Sequence, residues 1–172
     1  MTPGSITQPN WTPTIADDQD TRLAKKFVIP ARPPGLWTRV ADFVPAGRKL
    51  KIQVVGTPTP KWTYDPTKAP CTADGAGTDA TGALLPFALI GCLVGKVGGS
   101  ASDGLAPSVA SSVIALPATV TGPQFFVFAV GSFCVVQVPT SVSGTLFLTM
   151  NDIPLNFTKH TGEVEVQVYD AP

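Results

Sequence analysis

An all-β fold, an antiparallel β-sandwich of jelly-roll type with about eight strands, is what this sequence predicts. Three observations carry it. Several segments alternate apolar and polar residues with a period of two, most clearly at 163–169, where Val164, Val166 and Val168 interleave with Glu163, Glu165 and Gln167. Sixteen glycines and 18 prolines divide the 172 residues into short runs. No stretch shows a sustained helical repeat, while an apolar content of 44% excludes a disordered chain.

Residues 1–35 read as an irregular, proline-rich N-terminal arm, broken by Pro3, Pro9, Pro13, Pro30, Pro33 and Pro34. Within the arm, 17–26 suits about two helical turns, with Asp17 and Asp18 near the start and Lys25 and Lys26 near the end, as the helix dipole favours. Trp11 and Trp37 would anchor it across the domain or against a neighbour. The sandwich domain is expected over 36–172. Its first strand falls at 36–44, ended by Pro45-Ala46-Gly47. The second, 49–55, sets Leu50, Ile52 and Val54 against Lys49, Lys51 and Gln53. From 57 to 82 no regular element is visible, and connections of that length are commonly functional. The runs 85–97, 111–116, 124–130, 132–138 and 144–150 then read as strands. Between residues 80 and 150 only Lys96 and Asp103 are charged. Strands so uniformly apolar are buried on both faces or covered by a partner. A helix over 84–97 is the competing assignment, opposed by Pro86, Gly91 and Gly95.

Charge and composition exclude several classes. Residues 1–70 carry ten Lys/Arg against five Asp/Glu, and 71–172 carry two against seven, so +5 and −5 cancel. That balance, with no zinc-finger, basic-region or aromatic RNA motif, argues against nucleic acid. The apolar runs 84–95 and 125–136 are too short to span a bilayer as helices. No Sec-type signal is visible, and the location stays open between the cytoplasm and secretion by a non-Sec route. Cys71, Cys92 and Cys134 make an odd set without a C-x-x-C pair, so three thiols or one bridge and one thiol are both open. With a single histidine and no nucleophile motif or phosphate loop, the chain is expected not to be an enzyme.

Two segments could carry binding chemistry. The first, 151–162, joins the two best-defined strands and holds Asn151, Asp152, Asn156, Thr158 and His160. A loop rich in oxygens suits a hard cation or sugar hydroxyls; an ordinary loop with Asx turns is the alternative. The second is Lys61-Trp62-Thr63-Tyr64-Asp65-Pro66. Trp62 and Tyr64 could stack on the apolar face of a sugar while Asp65 accepts hydrogen bonds; alternatively Trp62 packs the long loop onto the sandwich.

The segment Gly144-Thr-Leu-Phe-Leu-Thr-Met-Asn151-Asp152, followed by Gly162-Glu-Val-Glu-Val-Gln-Val, resembles the closing strands of the calcium-dependent galactose-binding lectin family known from Pseudomonas. Gly47-Arg-Lys-Leu-Lys-Ile-Gln-Val-Val-Gly56, Ala88-Leu-Ile-Gly-Cys-Leu-Val-Gly-Lys-Val-Gly98 and Phe128-Ala-Val-Gly131 follow in the same order, so the resemblance covers roughly 36–170. It implies a small jelly-roll, galactose-binding-like lectin module, often dimeric or tetrameric, that holds calcium and sugar in its last loop. By position, Asn151, Asp152 and Asn156 would be the metal ligands. A sugar would meet Trp62, Tyr64, Asp65, Asp152, Ile153, Asn156 and His160. The chain departs from the pattern where Lys159 and His160 replace the family's paired asparagines or Asp-Asn, and an ammonium there would repel calcium or stand in for it. The loop after Gly56 reads Thr-Pro-Thr-Pro, leaving Tyr64 only a loose counterpart of the family's metal-binding tyrosine. The expected role is therefore glycan binding by a non-catalytic, bacterial, lectin-like domain. The alternative is a structural or partner-binding sandwich subunit, with the N-terminal arm and the uncharged strands forming contacts to copies of itself or to another protein.

Overall fold

Alternating side chains and short glycine-bounded runs resolve into strands throughout a computed structural model that describes residues 12–13, 26–101, 113–114 and 125–171. In chain order these strands are β1 (Thr12–Pro13), β2 (Lys26–Pro30), β3 (Thr38–Val44), β4 (Lys49–Val54), β5 (Trp62–Thr63), β6 (Asp74–Gly77), β7 (Ile90–Val97) and β8 (Val113–Ile114). They continue as β9 (Phe125–Ala129), β10 (Phe133–Gln137), β11 (Gly144–Met150) and, after a 3-10 turn at Pro154–Lys159, β12 (Thr161–Ala171). One sheet runs β1-β12-β4-β10, with β2 and β5 also pairing β12; the other runs β3-β11-β7-β9-β8, with β6 on β7. Every pairing is antiparallel.

The two sheets close on one apolar layer. From the first come Ile29 of β2, Leu50 and Ile52 of β4, and Val164, Val166 and Val168 of β12. They meet Val40 and Val44 of β3, Leu93 and Val97 of β7, Phe126 and Phe128 of β9, and Leu146, Leu148 and Met150 of β11. The period-two pattern of β12 thus puts its valines inward, as read. Phe126 and Phe128 stack at 5.3 Å, and Gly95 makes room: a Cβ there would lie 2.5 Å from the Phe128 ring.

The uniform apolarity of β7, β9 and β11 has a cause within the chain. Their opposite face carries a second layer in which Leu84, Leu85 and Ala88 lie over Cys92, Val94, Val127 and Phe147. Lys96 points into this layer and is fully buried. Its ammonium sits over the rings of Trp37 (4.8 Å), Phe147 (4.9 Å) and Phe125 (5.4 Å) and donates to the Ser100 carbonyl. Rings and carbonyl together replace part of the hydration such a charge loses.

Several expectations change. The first sheet takes in β2, within the stretch read as irregular, because Val28 and Ile29 add to β12 despite the prolines that follow. The expected helical turns at 17–26 lie outside the described residues except for Lys26, which is strand. The long connection 57–82 contains β5, β6 and a bridge between Trp62 and Cys71. The expected strand at 85–97 begins only at Ile90, since 84–89 is held in turns by hydrogen bonds from Asn151. β10, expected among the buried strands, is an edge strand that exposes Phe133 and Val135. Cys71, Cys92 and Cys134 are all free thiols. No helix among the described residues is long and apolar enough to cross a membrane.

Candidate functional site

β11 ends at Met150, and the next residues turn the chain through Pro154–Lys159 into β12. Asn151 faces inward there. Its Oδ1 accepts the Leu85 N–H (2.8 Å), and its Nδ2 donates to the carbonyls of Leu85 (2.9 Å) and Ala88 (3.0 Å). Fully buried and fully engaged, Asn151 is a clamp for the 84–89 turns and not the metal ligand expected of it. One amide doing the work of a strand partner is how buried backbone groups outside a sheet are satisfied.

Asp152 begins the site proper. Its Oδ1 accepts the Ile153 N–H (2.7 Å) and the Asn156 amide (3.3 Å), and its Oδ2 lies 2.8 Å from His160 Nε2. His160 Nδ1 lies 2.8 Å from the Ala31 carbonyl, just past β2. A carbonyl only accepts, so Nδ1 is the donor, and the Nε2–Oδ2 contact holds one further shared hydrogen. The Phe157 ring covers the imidazole at 4.6 Å between centroids. His160 is buried with both nitrogens used, so it supports Asp152 from behind and does not meet a ligand as expected.

The second segment divides. Trp62 is 1% exposed, and its Nε1 donates to the Gly91 carbonyl at 2.9 Å. Its ring belongs to the core and offers no stacking face, contrary to expectation. Tyr64, one alternation further on, lies against Gly91, where a Cβ would come within 3.0 Å of its ring. Gly91 also has φ +86°, so the position favours glycine on two counts. Burial, then the neighbouring Cys71, Asp65 and Asp152, raises the Tyr64 phenol above its usual range. Asp65 accepts the Thr67 N–H (2.9 Å) and hydroxyl (2.8 Å), an Asx turn that lowers its carboxyl below 3.8, assisted by Lys159 and Lys68 and opposed by partial desolvation.

Between the two segments opens a cleft of about 400 Å³. Tyr64, Asp65, Asp152, Ile153 and Asn156 all line it. Thus five of the expected residues, from loops far apart in sequence, line one cleft. Lys68, Asp79, Ile90 and Lys159 line it too, together with residues 76–78. Lys68, Asp79 and Ile90 were missed by sequence reasoning. The length of the 57–82 connection was the only signal for the first two. Ile90 gave none, since it reads as an ordinary strand residue. Among the described residues no group of three or more His, Cys, Asp or Glu side chains converges as a metal site.

Compared with known proteins, the chain matches no family model and none of the curated proteins.

Proposed function

We propose that the chain is a non-catalytic, lectin-like carbohydrate-binding domain of jelly-roll type whose saccharide lies in this cleft. The observation that carries the reading is the convergence of Tyr64 and Asp65 with Asp152, Ile153 and Asn156 on one cavity. The mixture suits a polyol. Tyr64, Ile90 and Ile153 give apolar surface for C–H faces, while Asp65, Asn156 and the lysines give directional partners for hydroxyls.

The proposal assigns binding to the protein's own groups rather than to calcium. Asp152 already takes His160, the Ile153 N–H and the Asn156 amide, and Asn151 is turned into the core. Lys159 and Lys68 place positive charge beside the cleft's carboxylates, taking the neutralising role a divalent cation would otherwise have.

Calorimetric titration with monosaccharides and oligosaccharides, in calcium and in EDTA, tests this. Binding of at least one glycan is expected, equal in both buffers, and weakened tenfold or more (about 1.4 kcal/mol) by Tyr64→Ala or Asn156→Ala. No heat with any glycan would sink the carbohydrate reading. Binding abolished by EDTA and restored by calcium would sink the metal-free one.

A further inference from the structure

We propose that two copies of the chain join edge to edge through β10, antiparallel about Val135, into one continuous sheet. β10 ends the order β1-β12-β4-β10, and among the described residues it pairs only with β4. Its hydrogen-bonding parity is fixed at both ends. Val138 N–H donates to Arg48 (2.8 Å), and Val54 N–H donates to Ser132 (2.9 Å). Alternation then turns the backbone groups of Phe133, Val135 and Gln137 toward the free edge.

Two other edge strands, β3 and β2, are guarded and this one is not. β3 carries an Arg39–Asp42 ion pair at 2.8 Å. β2 begins with Lys26 and ends with Pro30. Charge and proline are the usual guards against strand addition. β10 reads Phe-Cys-Val-Val-Gln, with neither, and exposes Phe133 by 59% and Val135 by 53%.

The strand is complementary to itself, which is why the occupant is a second copy. Two-fold pairing about Val135 sets Val135 against the partner's Val135 and Phe133 against the partner's Gln137. The outward parity supplies about six backbone hydrogen bonds. No like charges meet at the seam. The nearest cation in register, Lys51, pairs with Val135 from β4 and lies over the Tyr169 ring at 4.4 Å. The two Lys51 groups would sit three strand spacings apart, ~14 Å, beyond the ~8 Å screening length of physiological salt. A seam of one short strand from each copy is smaller than a standard interface, so the dimer is reversible and concentration-dependent.

Sedimentation velocity of the full chain over a hundredfold concentration range, without glycan, tests this independently of the cleft. The wild type is expected to shift from monomer to dimer. Val135→Lys and Val135→Glu each place like charges directly opposite one another and should weaken association tenfold or more, with unchanged circular dichroism. An equimolar mixture of the two should dimerise again, because only this register sets position 135 against itself. A wild type monomeric throughout, a Val135→Lys protein that dimerises like wild type, or a mixture that stays monomeric would each overturn the proposal.

Discussion

Asp152 and His160 show how a single buried pair divides labour between stability and binding. Removing Asp152 leaves His160 Nε2 buried without a partner, so Asp152→Ala should cost about 1–3 kcal/mol, read as a lower urea midpoint with an unchanged slope. Asn156→Ala removes only the weaker contact and should leave that midpoint nearly unmoved. The thiols give a second residue-scale prediction. Burial pushes Cys92 up to about 11 and Cys134 up to about 12. Both therefore stay protonated in the folded chain, and the stability they contribute is whole below the ordinary thiol value of 9.0 and is lost as pH rises through those values. At pH 8 a thiol reagent should label neither in native protein and both in urea. Asp65 runs the other way. Its lowered carboxyl contributes stability that is whole above 3.8 and lost as pH falls through the folded value, so Asp65→Asn should flatten the acid limb of a melting-temperature profile.

At the scale of elements, what was legible followed from period two. β4 and β12 fall where alternation places them, because one face of each meets the core. β2 was hidden by its flanking prolines, and its place depends on β12, far along the chain. The late start of β7 depends on Asn151, a contact across the sandwich that no local pattern announces. The same holds at the cleft. Both loops stand out by residue type, but the fate of Trp62 turns on the Gly91 carbonyl, and the burial of His160 on the Ala31 carbonyl. Close packing between strands is testable at Gly95. Gly95→Ala drives a methyl group into the Phe128 ring and should destabilise by about 1–3 kcal/mol in urea unfolding, whereas Val135→Ala, on an exposed edge, should stay within about 0.5 kcal/mol.

At the scale of the molecule, the opposite charges of the two sequence halves share one sheet but sit at opposite ends of it. Lys49 and Lys51 of β4 lie beside β12, which carries Glu163 and Glu165 toward its other end. In the second sheet β7, β9 and β11 are covered on both faces by their own chain, and β7 lies between β11 and β9. Amides of β7 and β11 should therefore exchange with solvent slowest, near the global unfolding rate, and those of β10 among the fastest of the strands. Equal exchange in β7 and β10 would contradict this ordering.

The chain of contacts from Ala31 through His160 to Asp152 has a consequence for how the surface can vary. It ties the segment after β2 to the turn between β11 and β12, using only buried groups. The exposed side chains of Lys68, Asp79 and Lys159 around the same cleft take no part in it. Substitutions at those three positions leave that buried chain intact and disturb only the Thr81 N–H contact to Asp79 and the charges beside Asp65, so a combinatorial library confined to them would change what the cleft selects while the scaffold beneath keeps its shape.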